Sequence, residues 1–258
     1  MQILMIGCGK MGEALLGGWS RGDDDFTLVD PGLEEAPHGA ILYADAAQLG
    51  DRTFDAVVCA VKPQMIDTVM PGYTDHYADD AYLLSIAAGA SIDRLKAASG
   101  GRPVIRVMPN LPAAVGRGVS GLVGSADATG AQLAHAQAMM ERCGTAVTVE
   151  SEDMLDRVTA VAGSGPGYVF EMARSYVEAA KDLGFTHDQA RAMVLGTLEG
   201  TIAMALRSDS DLETLRNSVT SKGGTTAAGL NALNGGGEFS ALIAKVLGAA
   251  YDRAVELR

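Results

Sequence analysis

The first 150 residues alternate between short apolar runs and segments with helical spacing. The apolar runs predict buried strands at 3–6, 26–29, 40–43, 54–61, 82–86, 104–107, 119–123 and 146–149. Helical segments are predicted between them, among others at 13–19, 64–69, 91–98 and 129–143. Strands that alternate with helices indicate βαβ units around a parallel sheet. Ligands of such sheets bind beyond the carboxyl ends of the strands.

From Ser151 onward, helical spacing replaces the strand pattern. Ser151 is expected to cap a helix that opens with two acids, and the glycine-rich run 163–167 interrupts it. Thr186–Gln189 and Ser210–Glu213 are capping boxes, which predict two further helix starts, and the last predicted helix spans 227–233. We therefore place a domain boundary near residue 150, which gives an α/β domain at 1–150 and an all-helical domain at 151–258.

The predicted helix Ala192–Leu206 is apolar on nearly all sides, and Glu199 is its only charge. A helix of this kind must be surrounded by protein, and its length is short for a membrane span. The domain 151–258 is small, so a second subunit would cover the apolar sides of this helix that the domain itself leaves open. A position at the centre of its own bundle explains the pattern equally well.

The turn Gly7-Cys8-Gly9-Lys10-Met11-Gly12 follows the first strand and opens into the first helix. Its G-x-G-x-x-G spacing is that of a dinucleotide-binding turn. The first glycine allows the tight turn, the second lets a pyrophosphate approach the backbone, and the third lets helix and strand pack closely. The helix N-terminus offers free N–H groups to the phosphates. The second strand ends at Asp30, about 20 residues further on, where an acid is expected to bind the adenosine ribose.

A second candidate anion site lies within residues 220–226. The pair Gly223-Gly224 precedes a predicted helix and is flanked by hydroxyl side chains. Such a pair suits a nest of backbone N–H donors that binds a carboxylate. The alternative is that Thr225 or Thr226 simply caps the following helix.

The composition limits the possible partners. The net charge of −12 argues against non-specific binding to nucleic acid or to anionic membranes, although it does not exclude a small anionic substrate. The three cysteines and four histidines are dispersed, so neither a metal site nor a disulfide framework is predicted. The N-terminal apolar run is too short for a signal peptide, and the cysteine pattern fits a reducing compartment, so we expect a cytoplasmic protein.

Several further motifs occur in a fixed order along the chain. They are Ala60-Val61-Lys62-Pro63-Gln64, Ser85-Ile86-Ala87-Ala88-Gly89, Arg106-Val107-Met108-Pro109-Asn110, Gly163-Ser164-Gly165-Pro166 with Tyr168, and Gly223-Gly224-Thr225-Thr226. Together with the N-terminal turn, this set resembles the pyrroline-5-carboxylate reductase family over nearly the whole chain. The resemblance implies a Rossmann-type domain, a C-terminal helical domain that dimerises, NADH or NADPH as cofactor, and reduction of 1-pyrroline-5-carboxylate to L-proline. It also favours an intersubunit role for Ala192–Leu206.

The resemblance and the spacing together imply two sets of site residues. The cofactor set is Gly7, Cys8, Gly9, Lys10, Met11, Gly12, Asp30, Ala60, Val61, Lys62, Pro63, Ala87, Ala88, Gly89 and Asn110. The substrate set is Ser221, Gly223, Gly224, Thr225 and Thr226. Thr226 and Lys62 are the expected catalytic residues: Lys62 lies near the reaction centre, and the Thr226 hydroxyl hydrogen-bonds the imine nitrogen while solvent supplies the proton.

The chain departs from the family pattern at two places. Lys222 stands where the family usually has a proline, and we expect its side chain to point to solvent. Asp30 is followed by Pro31-Gly32, where many members have a small polar residue and an arginine for the 2′-phosphate of NADP. A carboxylate accepts from ribose hydroxyls and repels a phosphate, so NADH is the favoured cofactor.

Two other classes of protein remain as alternatives. One is a related Rossmann oxidoreductase for cyclic imines or β-hydroxyacids, although the latter would carry a lysine within 168–176, where this chain has none. The other is a non-catalytic, nucleotide-binding redox sensor. A sensor needs the N-terminal glycine turn but no second nest, so the Gly223–Thr226 segment favours an enzyme.

Overall fold

The computed structural model describes all 258 residues, and its first part is built around one eight-stranded sheet. The strands are β1 (Gln2–Ile6), β2 (Asp25–Val29), β3 (Ile41–Tyr43), β4 (Phe54–Cys59), β5 (Tyr77–Ser85), β6 (Val104–Met108), β7 (Gly118–Gly124) and β8 (Gly144–Thr148). Their order in the sheet is β3-β2-β1-β4-β5-β6-β7-β8. The strand β1, which leads into the glycine turn, therefore lies between β2 and β4.

The strands β1 to β6 run parallel, as the alternation of strands and helices predicts. The strand β7 is antiparallel to β6, and β8 is parallel to β7. Parallel neighbours need a crossover of about a dozen residues or more. The β6–β7 connection, residues 109–117, is shorter than that and has a single 3-10 turn at Leu111–Val115, and the chain reverses direction there. The predicted parallel sheet is confirmed for the six strands that carry the dinucleotide turn.

Helices alternate with the strands and then make up the rest of the chain. They are α1 (Lys10–Trp19), α2 (Ile66–Val69), α3 (Ile92–Ala98), α4 (Gly130–Glu141), α5 (Glu152–Val158), α6 (Gly165–Asp182), α7 (His187–Ala205), α8 (Leu212–Ser218), α9 (Thr225–Asn234) and α10 (Glu238–Leu257). A π-helical turn, Thr159–Gly163, separates α5 from α6. None of the helices combines the length and the apolar character that a membrane crossing requires.

The helix starts follow most of the predicted capping signals. Ser151 caps α5, and Thr186 forms the capping box of α7. The predicted box that starts at Ser210 is wrong by one residue. Asp211 is the N-cap of α8, and its carboxylate accepts from the N–H of Thr214. A carboxylate is a strong acceptor for the free N–H groups of a helix start, and it displaces the serine from that role.

Apolar side chains cover both faces of the sheet. Successive residues of β1 point to opposite sides, so Ile3 and Met5 join one buried cluster while Leu4 and Ile6 join the other. The first cluster includes Trp19 of α1, which is fully buried. Parallel sheets are normally buried on both faces, because their crossover helices lie there. This double burial fixes the carboxyl ends of the strands, where the site lies.

The chain divides into two compact units, Met1–Pro166 with Ala249–Arg258, and Gly167–Gly248. In the second unit, only Val177, Ala180, Ala190 and Val194 form a buried apolar cluster. The part of α7 predicted to need cover is not central in a bundle, because Ile202 and Met204 are 58% and 65% exposed. The division of the chain into domains 1–150 and 151–258 stays a prediction.

Asp24 is the centre of a charged cluster between α1 and β2. Its side chain is 6% exposed and accepts from the amino group of Met1 at 3.0 Å and from Arg142 at 2.8 Å. His135 lies 3.3 Å away through Nε2, and its Nδ1 is 2.8 Å from the Tyr82 hydroxyl. Burial raises the pKa of Asp24, but the hydrogen bonds from Arg142, Met1 and His135 outweigh it and lower the pKa to about 2. The cluster ties the α1–β2 turn to α4 and β5.

We expect Asp24→Asn to lower the free energy of unfolding by about 2 kcal/mol at neutral pH, because Arg142 loses its charged partner. The pKa of the folded state lies below the ordinary value of 3.8, so this stabilisation is present above that pH and is lost as the pH falls towards about 2. Urea unfolding at several pH values should show the wild-type advantage shrinking over this range. Asp23→Asn, at an exposed neighbouring position, is the control. An advantage that does not change with pH would contradict the assignment.

Candidate cofactor and substrate sites

A cavity of about 540 Å³ lies at the carboxyl ends of β1, β2 and β4. Seven of the predicted cofactor residues line it together, namely Gly7, Cys8, Gly9, Asp30, Ala60, Val61 and Lys62. The other predicted cofactor residues, Lys10, Met11, Gly12, Pro63, Ala87, Ala88, Gly89 and Asn110, lie outside its lining. The ends of three neighbouring strands therefore meet in one cavity, where parallel sheets bind their ligands.

The three glycines of the turn have the geometry that each position requires. Gly7 has a φ of +81°, and a Cβ there would lie 3.0 Å from Val61 Cγ1, so only glycine fits. A Cβ on Gly12 would lie 2.6 Å from Met5 Cε, which shows the close packing of α1 against β1. A Cβ on Gly9 would meet nothing within 4 Å, and Gly9 is the N-cap of α1 without a side-chain cap. The turn therefore offers bare backbone donors of a kind that fits a pyrophosphate.

Asp30 faces the glycine turn from the end of β2. Its Oδ2 accepts from the N–H of Cys8 at 2.7 Å, and its Oδ1 accepts from the N–H of Gly32 at 2.8 Å. Each carboxylate oxygen has a second lone pair, which remains available to a ligand. Burial, with the charges of Asp30 and Glu13, raises the pKa of the Cys8 thiol to about 11, so Cys8 stays protonated. Cys8 thus donates its backbone N–H to Asp30, and this hydrogen bond holds the turn in place.

The charges around this cavity are mainly negative. Asp45 lines it in addition to Asp30, and Lys62 is the only basic residue in the lining. Lys10 of the glycine turn lines a different cavity. No arginine or lysine therefore stands beside Asp30 in this cavity to receive an additional phosphate.

Gly89 and Asn110, at two further strand ends, are held by contacts within the first compact unit. Gly89 has a φ of +72°, and a Cβ there would lie 2.6 Å from the carbonyl oxygen of Leu257. Asn110 is buried; its side chain donates to the Ala162 carbonyl at 3.0 Å and accepts from the N–H of Val119 at 2.8 Å. Asn110 therefore links the end of β6 to β7 and to the π-helical turn. Its role in cofactor binding stays a prediction.

Sequence reasoning missed two contributors to this region. Asp45 follows the carboxyl end of β3, next to β2 in the sheet, so the strand-end rule would have found it. Glu152 of α5 pairs with the buried Arg106 and accepts from the N–H of Ile92 at 2.9 Å. This second contact joins residues far apart in the sequence, and no local signal indicates it.

The second candidate site lies in the other compact unit, at the start of α9. Gly224 is the N-cap and makes no side-chain cap hydrogen bond, and its N–H donates to the Ser221 carbonyl at 3.0 Å. Gly223 has a φ of +72°, which a glycine adopts readily. Thr225 and Thr226 are the first two residues of the helix, so neither of them is its cap. The alternative that a threonine caps this helix is therefore wrong.

The two predicted anion sites share a helix start with a glycine as the N-cap. The helices α3, α4, α5, α7 and α8 each begin with a capping side chain, from Ser91, Thr129, Ser151, Thr186 and Asp211. By contrast, α1 and α9 begin after a glycine, and no side chain caps them. The first N–H groups of a helix have no partner within the helix and favour an anion. Both starts thus leave these donors available to a ligand.

The parallel sheet, the glycine turn, the acid after β2 and the cavity at the strand ends define a Rossmann-type dinucleotide-binding protein. Comparison with known proteins gives the family. Residues 152–257 match the family model for pyrroline-5-carboxylate reductase dimerisation, and residues 2–89 match the one for NADP oxidoreductase, coenzyme F420-dependent. The chain is 35% identical to a pyrroline-5-carboxylate reductase of Pseudomonas aeruginosa over 99% of this chain and 96% of that protein. It belongs to the pyrroline-5-carboxylate reductase family.

Solved structures agree over the same length. The pyrroline-5-carboxylate reductase of Coxiella burnetii is 31% identical and superposes with a TM-score of 0.91, over 99% of this chain and 97% of that one. The pyrroline carboxylate reductase of Plasmodium falciparum, solved with NADP bound, is 25% identical with a TM-score of 0.85, over 100% of this chain and 98% of that one. The Rossmann-type domain followed by a helical region is therefore confirmed.

Proposed function

We propose that this chain reduces 1-pyrroline-5-carboxylate to L-proline with NADH or NADPH, the last step of proline biosynthesis. The observation that carries the proposal is the uncapped start of α9 beside Gly223-Gly224, in a family member that also has a dinucleotide cavity. A redox sensor would need the cavity alone and would leave this second set of donors without a purpose. The family membership over the full length likewise does not favour the β-hydroxyacid alternative.

NAD(P)H, when bound, supplies the hydride that reduces the C=N carbon of the pyrroline ring. The residues of the first cavity fit such a cofactor, because Gly7 and Gly9 leave the backbone bare where a pyrophosphate would approach. We assign Lys62, at the end of β4 and in the wall of the cavity, to the neighbourhood of the reaction centre. Asp30 holds the turn through Cys8 and accepts from the ribose hydroxyls.

We assign the substrate to the start of α9. The backbone N–H groups of Gly223 and Thr225 bind its carboxylate, together with the Ser221 hydroxyl, while the N–H of Gly224 holds the turn through the Ser221 carbonyl. The Thr226 hydroxyl hydrogen-bonds the ring nitrogen, and solvent provides the proton, because no histidine occurs in the matched motifs. Correct positioning of the ring for hydride transfer contributes on the order of 7–11 kcal/mol at best.

The test of this function is a direct assay. The purified chain is mixed with NADH or NADPH and racemic pyrroline-5-carboxylate, the loss of reduced cofactor is followed by absorbance, and proline is measured by chromatography. We expect one proline for each cofactor oxidised. Cofactor binding without turnover would instead indicate the redox sensor.

Assembly and location are proposed on separate grounds. The match of 152–257 to a dimerisation family model and the exposed apolar side chains of α7 support a homo-oligomer. We propose a homodimer, or a larger assembly of dimers, formed through the helical half of the chain. We also propose a cytoplasmic location, because Cys8, Cys59 and Cys143 are free and buried, as suits a reducing compartment.

We propose further that NADH is the preferred cofactor. The carboxylates of Asp30 and Asp45 both line the cavity, and Lys62 is its only basic residue. A phosphate on the 2′ position carries a charge of about −2. Like charges about 4 Å apart repel by a few kcal/mol at intermediate dielectric. Lys10, which lines the other cavity, is not placed to offset this repulsion.

We therefore expect kcat/KM for NADH to exceed that for NADPH by at least about tenfold, or ~1.4 kcal/mol. The double variant Asp30→Ser with Pro31→Arg should narrow or reverse the ratio, because it removes a carboxylate and adds a guanidinium. Initial rates with both cofactors at fixed pyrroline-5-carboxylate measure it. Glu35→Gln, a charge-neutralising change in the same exposed turn but outside the cavity, is the matched control and should leave the ratio unchanged. Equal efficiency of the two cofactors in the wild type would show that Asp30 does not govern the choice.

A further inference from the structure

A second cavity, of about 360 Å³, lies along α1 in the first compact unit. Four charged or titratable side chains line it: Lys10, Glu13, Arg21 and His38. The first three follow one another at helical spacing along α1 and just beyond its end. The cavity shares no lining residue with the dinucleotide cavity. It is therefore distinct from the dinucleotide cavity, although Lys10 belongs to the glycine turn whose residues Gly7, Cys8 and Gly9 line that cavity.

His38 lies against α1, and the local structure has two unfavourable features at this contact. It is the only residue other than glycine with a positive φ, at 54°, a conformation in which a Cβ is crowded. On the opposite side, a Cβ on Gly17 would lie 3.0 Å from the imidazole, so the ring occupies space that only a glycine leaves open. Glycine within a helix is itself unfavourable. Strain of this kind is typically found at functional sites.

The basic groups around this cavity form no ion pair, although the carboxylate of Glu13 lines the same cavity. None of Lys10, Arg21 and His38 forms an ion pair within 4.0 Å, and neither does Glu13. By contrast, Arg142, just beyond the end of α4, is paired with Asp24. In a chain with a net charge of −12, the unpaired cations of Lys10 and Arg21 around one cavity, with the imidazole of His38 beside them, point to an anionic ligand.

We propose that this second cavity binds the phosphate group of a small, hydroxylated phosphomonoester. A guanidinium and an ammonium together suit a phosphate dianion, and the imidazole of His38 adds a further donor. The carboxylate of Glu13 can only accept hydrogen bonds, so it suits the hydroxyl groups of the same ligand. The volume of the cavity leaves room for more than an inorganic phosphate ion.

The test uses the full chain with saturating NADH, so that the dinucleotide cavity is already occupied and cannot bind the phosphate ester. Isothermal titration calorimetry with glycerol 3-phosphate, at constant ionic strength, measures the affinity. Arg21→Gln removes one phosphate donor, and His38→Asn removes another while keeping a residue that tolerates a positive φ. We expect each to weaken binding by about tenfold, as is usual for a lost charge-assisted hydrogen bond.

Two comparisons complete the design. Arg207→Gln removes an exposed arginine that makes no ion pair in the other compact unit, and it should bind as the wild type does. Inorganic phosphate in place of glycerol 3-phosphate tells whether the ligand is the ester or free phosphate, and weaker binding of phosphate indicates the ester. The proposal would be overturned if the wild type did not bind glycerol 3-phosphate. It would also be overturned if Arg21→Gln and His38→Asn both bound it as tightly as the wild type does. NADH oxidation should be unaffected in both variants, because neither residue lines the dinucleotide cavity.

Discussion

Ile202→Lys is expected to abolish the homo-oligomer and to leave an unstable or aggregated chain without reductase activity. Ile202 lies on α7 and is 58% exposed, and Leu206, four residues further on and thus on the same face, is 74% exposed. The buried apolar cluster of the second unit contains only four residues, which is a small core for the segment Gly167–Gly248. A second subunit that covers this surface would bury Ile202. A lysine there then places an unpaired charge in an apolar interface, at a cost of about 2–5 kcal/mol or more.

Ile202 is a sharper choice for this test than Leu198. Leu198 packs against the buried cluster of its own unit, so a charge there would disturb the monomer as well as the interface. Light scattering coupled to size-exclusion chromatography measures the assembly, and thermal unfolding measures the stability. Asp51→Lys, at an exposed loop position of the first unit, is the matched control for an added positive charge. A wild-type mass of 26.6 kDa, or an Ile202→Lys variant with wild-type mass and stability, would contradict the proposed interface.

The dinucleotide cavity was largely predictable because its parts are close together in the sequence. Gly7, Gly9 and Asp30 belong to one β1–α1–β2 unit, so local spacing alone places them at neighbouring strand ends. Asp45 enters through β3, and Tyr73 through a turn that follows α2. Their positions depend on the order of strands in the sheet, which local spacing does not contain.

Other features depend on contacts that a local pattern cannot contain. The reversed direction of β7 depends on the length of its connection, and the contacts of Asn110 depend on the π-helical turn at Thr159–Gly163. The last helix predicted from the sequence ends at residue 233, whereas the structure has one more helix, α10, from Glu238 to Leu257. Three glycines at 235–237 precede that helix, and they interrupt the helical spacing of apolar residues just before it begins.

The start of α9 shows how the structure can decide between two sequence hypotheses. A threonine cap and a carboxylate nest have the same sequence signature, Gly-Gly-Thr-Thr before a helix. The structure makes Gly224 the N-cap, so the hydroxyls of Thr225 and Thr226 are not needed to start the helix. A change at Thr226 can therefore test substrate binding without removing a cap.

Thr226→Ala is expected to lower kcat/KM for pyrroline-5-carboxylate by roughly one to two powers of ten. This corresponds to one lost hydrogen bond to a charged group, ~1.5–3 kcal/mol. Thr226 is exposed and does not cap α9, so alanine should leave the melting temperature nearly unchanged. Thr226→Ser keeps the hydroxyl and should retain most of the activity. NADH affinity, measured by fluorescence titration, should barely change, because the proposed cofactor residues lie in the other compact unit. If NADH affinity falls as far as turnover does, Thr226 has a structural role and the assignment of the imine nitrogen to it is wrong.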